Sequence, residues 1–513
     1  MPTDSSKNRQ FAINMMASLI TFAVGLGIRF GLTPYIVRTI GPEAYGFIGL
    51  SANILTYTSL ITIALNSMVG RFITIKYCEG NIDEANKYYA SVFLSNIVLA
   101  FVITFVVSLC IIWLEYLINI PEKLVFDVKL LFALMAINNI IGLLAGTWTI
   151  ATFIKNRLDL SNVRTIIGNV IKALSLILLF SFFKPHVWYL GLAGMFLTIY
   201  TAFANYRFTS VLTPELGVKK ENFDFGKIVE LLKSGVWSLI SRLGEILGQG
   251  FDLLLANLYI GMIEMGYFAI TKNVPVLILG LFQSISAVFA PTMTRYFAEK
   301  KHDELLNECH KSIRILSFFT AIPLTCLYVY GDSFYRLWLP TENSSDLIFL
   351  TVLGTFALPY TLPLESFWNI FTITNKLKYS TLFMLGNNVA VFLIVFVSMY
   401  IVESSEMRLF VLAGTRSFCG IIRGFVFLPM YGAHCLLLPK TTFYKNLFKA
   451  LAYFIICLLI CFGIKYFFEP NSWGQLILAF SLVTIVCVIM GMYIILSKFD
   501  RIYLLNKIKE KFF

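Results

Sequence analysis

What constrains this chain most is a succession of long apolar runs, each about the length of a bilayer crossing, joined by short polar connections. A helix needs roughly 20 apolar residues to cross the hydrocarbon. Reading the runs between charged or Gly/Pro breaks gives fourteen segments. The first seven are 10–39, 43–70, 88–114, 130–154, 160–183, 186–208 and 234–258. The second seven are 264–293, 310–330, 346–374, 379–402, 408–432, 446–468 and 474–498. Runs such as Phe101–Leu114 and Leu476–Ser497 lack the period-two alternation of an outer-membrane barrel, so the spans are helical. Only 14% of the 513 residues are charged and 58% are apolar. A soluble domain carries about a quarter charged residues, so a soluble enzyme and a disordered chain are both excluded. The predicted class is an all-α polytopic membrane protein with 14 transmembrane helices.

Charge sets the expected orientation. With the N-terminus inside, the cytoplasmic segments hold 28 Lys and Arg, from Lys7 and Arg9 through the tail after Ser497. The outer segments hold seven: Arg38, Lys123, Lys129, Lys184, Arg336, Arg408 and Lys465. Lys and Arg near short loops resist translocation, so both termini are expected in the cytoplasm. The basic surplus of 41 over 29 acidic residues therefore reads as topology, and no nucleic-acid partner is expected. The N-terminal apolar segment carries Arg29 and no small-residue cleavage site, which predicts a retained first helix and no signal peptide. Nine Cys form no Cys-x-x-Cys pair and mostly lie in apolar runs, so neither a metal site nor a disulfide framework is expected.

An internal repeat appears at an offset of 220 residues. Ser18-Leu19-Ile20 falls on Ser238-Leu239-Ile240, Ile40-Gly41 on Ile260-Gly261, Gly46 on Gly266, Asn53 on Asn273, and Asp83-Glu84 on Asp303-Glu304. Helices one and two thus match helices seven and eight. Six helices separate the copies, so the second enters the membrane in the same direction as the first, and the repeats are parallel. The expected organisation is an N-lobe at 1–213, a cytoplasmic linker at 214–233, a C-lobe at 234–432, and helices 13 and 14 with a basic cytoplasmic tail at 433–513. The related stretches Arg71–Lys87 and Phe297–Arg314 mix charges with Phe and Leu and are expected on the inner membrane surface.

Gly25-x-Gly27-x-x-x-Gly31 follows no strand and lies inside a spanning helix, which rules out a nucleotide-binding loop, and no Gly-Lys-Ser/Thr phosphate loop occurs. Gly27 with Gly31, and Gly244 with Gly248, put small residues four apart in two repeat-related helices, suited to close packing or to a hinge. Pro34, Pro275, Pro359 and Pro363 are candidate kinks.

Charges inside the spans are the sharpest signal: Arg29, Lys172, Arg242, Glu245, Asp252, Lys272, Glu365, Arg416 and Arg423. Each costs about 2.5 to 3.5 kcal/mol at the centre of a lipid-facing helix, so each should face a protein interior or water. Arg29 is mid-helix and out of reach of the headgroups. Arg242 and Glu245 stand three apart on one face and can neutralise each other. Arg29, Arg242 and Lys272, with Asn53 and Asn273, are the candidate substrate-binding residues; Glu245, Asp252 and Glu365 are the candidates for ion or proton coupling. Lys172 and Arg423 lie closer to helix ends and read as snorkelling side chains.

The opening run Asn14–Ile40 and the segment Ile40-Gly41-Pro42-Glu43-Ala44-Tyr45-Gly46, on two parallel lobes with two further helices, resemble the polysaccharide flippase family. That family belongs to the multidrug, oligosaccharidyl-lipid and polysaccharide exporter superfamily. The resemblance implies export of an undecaprenyl-pyrophosphate-linked oligosaccharide to the outer leaflet of a bacterial plasma membrane, by alternating access around a cationic cavity. By matching positions, Arg29, Arg242 and Lys272 would be the cavity cations, with helices one and seven bending. The implied partners are the lipid-linked oligosaccharide, membrane lipids, an H⁺ or Na⁺ counter-ion and the polysaccharide polymerase machinery, with no cofactor.

Other readings remain open at this stage. A drug or cation antiporter and a lipid II flippase belong to the same superfamily. The antiporters favour acidic cavity residues, whereas the spans here carry six basic residues against three acidic ones. A membrane glycosyltransferase or polymerase would need acidic catalytic pairs or a large outer loop, and the longest outer loops, near 114–129 and 331–345, are too small. No enzymatic activity is expected.

Overall fold

The computed structural model describes residues 4–374, 376–497 and 501, with side chains left undescribed for 4–12, 15, 19 and 291. The basic residues Lys7, Arg9, Lys498, Lys507, Lys509 and Lys511, which weigh in the charge count, lie in part or wholly outside the described residues. Among the described residues the regular structure is helical. Among the described residues, eleven helical stretches are long and apolar enough to cross a membrane. The first of these carries two expected spans, because Asp4–Asn66 is helical throughout except at Gly41, whose φ of 83° and ψ of 162° turn the chain just before Pro42. Only glycine reaches such a conformation without strain. Tyr189–Leu212 is long enough to cross, but Thr198, Thr201, Asn205 and Arg207 dilute its apolar run. The expected span 234–258 is divided into Phe225–Glu245 and Asp252–Tyr259.

Two compact units divide the chain, residues 1–266 and 267–513. In the first unit the helix Leu158–Phe182 packs on the opening helix and on Tyr189–Leu212, which also packs on Val125–Ala145. Phe225–Glu245 packs within this same unit, along the second half of the opening helix. In a bilayer, lipid is as apolar as Leu, and helix association depends on close fit. Here that fit is made at Gly235: a Cβ there would collide with the backbone of Ala64. Beneath it, an apolar cluster of Leu65, Val69, Ile73, Tyr88, Val92 and Leu231 joins the short helix Val69–Cys78 to Ile82–Ile112. Asn81 caps the latter helix by accepting from Glu84 N at 3.1 Å. Gly46 and Gly266, paired by the 220-residue offset, approach closely, since a Cβ on Gly46 would stand 3.1 Å from Gly266 N.

The second unit is organised on the long helix His302–Trp338, whose sides are covered by Tyr444–Phe467 and Trp473–Ile494. Tyr453 Oη donates to Cys487 O at 2.7 Å, tying these last two helices together. Three of the prolines act as expected. Pro275 has no N–H to give Thr271, and the helix breaks at Lys272 between Met262–Thr271 and Asn273–Ala287. The tenth expected span is divided into Ser344–Thr355, Leu358–Thr361, a 3₁₀ turn Leu362–Leu364 and Phe367–Ile373, with Pro359 and Pro363 at the second and third of these. At Pro34, by contrast, the helix continues.

Candidate transport site

In the first unit the broken helix meets the second span at a series of close contacts, from Gly235 on Ala64 to Arg242 on Ser59 and Gly250 on Tyr57. Arg242 donates through Nε to Ser59 Oγ at 3.0 Å and through a terminal nitrogen to Glu245 Oε2 at 2.6 Å. The three-residue spacing therefore makes the neutralising pair that it allows. Arg242 is two-thirds or more covered and Glu245 is exposed, with side-chain exposures of 24% and 54%.

Immediately beyond this pair, Ile246–Gly250 form a π-turn. Such a turn shifts the hydrogen-bond ladder and frees a backbone carbonyl, which in a water-poor interior needs another donor. Gly250 O receives two, from Asn53 Nδ2 at 3.1 Å and Tyr57 Oη at 2.9 Å. The Tyr57 ring also stacks on Phe251, with centroids 5.0 Å apart. Asn53 is thus engaged with the break in helix seven. Asp252, buried at the start of the next helix, lies within electrostatic reach of Tyr57. Replacing Asn53 with Leu and Tyr57 with Phe together leaves Gly250 O unpaired. The expected cost is about 1 to 3 kcal/mol, read as a lower melting temperature of the purified protein. Either single variant should cost less, because one donor then stays.

Arg29 lies on the opening helix, and Lys172 near the middle of Leu158–Phe182, which packs against it. The two cations are within electrostatic reach of each other. Arg29 is exposed and Lys172 half-buried, and neither side chain has a hydrogen-bond or ion-pair partner among the described residues. Residues 26, 27, 29, 30 and 31 are all exposed, so little of its own unit covers this stretch of helix one. Gly27 and Gly31 belong to the same stretch. A Cβ on either would meet nothing within 4 Å, so close helix packing is not what they provide here. Gly244 and Gly248 are buried, with Gly248 inside the π-turn.

In the second unit Lys272 occupies the break before Pro275, with its ammonium 5.9 Å from the Phe268 ring centroid. Asn273 donates to Ala269 O at 3.0 Å, back across the break to the preceding helix. Glu365, placed by the Pro359 and Pro363 breaks, borders a polar cavity of about 330 Å³ with Gln283, Ser286 and Asn369. It lies beside Gln283 in this lining and within electrostatic reach of Arg423. The candidates in the first unit are thus brought close to one another except for Arg29, which is grouped with Lys172. Sequence reasoning read Lys172 as a snorkelling side chain near a helix end, although the expected span 160–183 already centres on it. Its near-central place in Leu158–Phe182 is the signal that marks it.

These features define a multi-pass helical membrane protein with charged groups held inside its spans. The model of the family described as polysaccharide biosynthesis protein matches residues 9–297, more than half of the chain, and the chain belongs to that family. It is 26% identical over 505 residues to the uncharacterized membrane protein EpsK of Bacillus subtilis (strain 168), covering 98% of each chain. Its fold is that of the lipid II flippase MurJ in an inward closed conformation, with a TM-score of 0.65 and 15% identity over 93% of this chain and 98% of that one. It is equally that of an inward-facing multidrug resistance MATE family transporter of the MOP superfamily, with a TM-score of 0.65 and 13% identity over 83% and 97%. A MOP superfamily transporter from Pyrococcus furiosus, whose binding pocket is described as of reverse polarity, matches with a TM-score of 0.59 and 12% identity over 83% and 95%.

Proposed function

We propose that this chain flips an undecaprenyl-pyrophosphate-linked oligosaccharide repeat unit from the inner to the outer leaflet of a bacterial plasma membrane, by alternating access through fourteen helices with both termini cytoplasmic. It does so without enzymatic chemistry. The observation that carries the reading is the pair Arg29 and Lys172, two like charges on adjoining helices with no counter-ion among the described residues. Such a pair is unfavourable in a membrane interior unless an anion visits it. A pyrophosphate diester is an anion of that kind. Stripping its hydration in hydrocarbon costs tens of kcal/mol in an idealised estimate, which a cationic, hydrated site offsets. The planar guanidinium of Arg29 suits paired phosphate oxygens, and the flexible ammonium of Lys172 adds a point charge.

The membrane potential assists. Moving two negative charges outward from a negative interior is favoured by about 4.6 kcal/mol per 100 mV. Glu365, which lines a cavity within electrostatic reach of Arg423, is the first candidate for H⁺ or Na⁺ coupling, ahead of Asp252 and of Glu245, which is paired with Arg242. A fold used by a lipid II flippase suits a polyprenyl-linked cargo. The same fold in multidrug transporters raises a cation-antiport reading, which the Arg29 and Lys172 pair disfavours because it repels cationic cargo.

If Gly27 and Gly31 serve as the hinge, the double change to alanine should leave the melting temperature unchanged or raised, since the added methyls meet nothing and stiffen the unfolded chain. Transport in proteoliposomes, followed with a tagged lipid-linked glycan exposed to a lectin, should fall severalfold. Wild-type transport rates would remove the hinge. In the same vesicles, a rate that does not rise when the donor side is made negative would contradict electrogenic export.

A further inference from the structure

A second basic site lies apart from the residues above, at the end of the first unit that carries the tight turn 155–157. Arg164 stands in the second turn of Leu158–Phe182, about 9 Å along the axis from the helix start. It borders a cavity of about 280 Å³ lined by Thr149, Thr165, Asn169, Thr198 and Asn205 from three helical elements. Its guanidinium donates to Ser161 Oγ at 2.9 Å and to Asn205 Oδ1, while its Nε is buried with no partner. No carboxylate pairs with it among the described residues. A guanidinium held only by neutral groups keeps its full charge, and a buried N–H left unpaired is costly.

The charge and polarity of the wall say what the cavity would hold. Thr165 and Thr198 spend their hydroxyl protons on Ser161 O and Gly194 O in their own helices. Asn205 uses its carbonyl oxygen on Arg164, which leaves its amide N–H₂ free, and Asn169 makes no hydrogen bond with a described residue. The wall therefore offers two amide N–H₂ groups as donors and the Asn169 carbonyl and threonine hydroxyl oxygens as acceptors, around one positive charge that no carboxylate among the described residues offsets. A neutral sugar could use those donors and acceptors but would leave the positive charge uncompensated, whereas an anion offsets it. We infer that this cavity binds a phosphate oxyanion at headgroup depth, at a place separate from Arg29 and Lys172.

Two sources could supply that phosphate, the headgroup of an anionic phospholipid or a soluble phosphate. The test uses the full-length protein, delipidated in detergent and titrated with phosphatidylglycerol, phosphatidylcholine or inorganic pyrophosphate, with binding read by native mass spectrometry. Wild type should prefer phosphatidylglycerol to phosphatidylcholine or bind pyrophosphate. Arg164→Gln should weaken that binding about tenfold or more, as loss of charge-assisted bonds does. Asn169→Leu leaves the charge and removes one donor, and should weaken binding about threefold even if the arginine variant is not recovered folded. Phosphatidylglycerol that pyrophosphate fails to displace marks the lipid as the source, and displacement marks the soluble anion. Equal binding by the wild type and both variants, or no binding of either phosphate by the wild type, would overturn the inference. The readout is binding, so the outcome stands whether or not the chain flips glycans.

Discussion

Replacing Arg29 and Lys172 together with alanine is expected to slow outward movement of the lipid-linked glycan by about 100-fold or more, with no loss of folded protein from the membrane. Two charge-assisted contacts to a pyrophosphate are worth about 1.5 to 3 kcal/mol each, and each 1.4 kcal/mol is a factor of ten. The fold should not suffer, because neither side chain has a partner among the described residues and the two repel. Each single variant should fall in between. Arg29→Lys separates the fork from the charge: a rate near wild type would show that bidentate contact is not used. Unimpaired transport by the double variant, at equal protein level, would remove the pair from the mechanism.

The second large effect is structural. Gly235→Leu is expected to prevent accumulation of folded protein, or to lower its melting temperature well beyond any other single change proposed here. A Cβ at Gly235 collides with the Ala64 backbone, and a backbone cannot swing aside as a side chain can. Inserting methylenes into a tight core costs about 1 to 3 kcal/mol even where side chains yield. Here the broken helix would have to leave the second span, and with it the Arg242 bond to Ser59 and both donors to Gly250 O. Thermal unfolding of detergent-purified Gly235→Leu beside Gly27→Ala gives the comparison. A Gly235→Leu protein as stable as wild type would show that this contact is not tight in solution.

Much of this was legible from residues alone, for reasons that differ along the chain. The helical, membrane-spanning class followed from uninterrupted apolar runs, because a bilayer imposes one length and one period. The turn at Gly41 and the breaks at Lys272 and around Pro359 and Pro363 were marked by the residues that cannot continue a helix. The Arg242 and Glu245 pair followed from helical spacing. What was not legible depends on long-range packing. Nothing local in Asn53 shows that it caps a carbonyl almost 200 residues away, and nothing in Ile246–Gly250 announces a π-turn. The 220-residue offset does not disclose that helix seven packs in one compact unit with helix two, since that depends on which glycine meets which backbone. Lys172 was read as a residue near a helix end, and Arg164 was not singled out. Their meaning lies in neighbours on other helices, Arg29 for one and Asn205 for the other.

The most direct measurement is leaflet-resolved labelling of the lipid-linked glycan in cells from which the gene has been deleted, with and without the wild-type chain restored. If this protein is the flippase, unlabelled glycan should build up on the inner leaflet and outer-leaflet labelling should return only with the restored chain. Outer-leaflet labelling at the normal level in cells without the protein would contradict it.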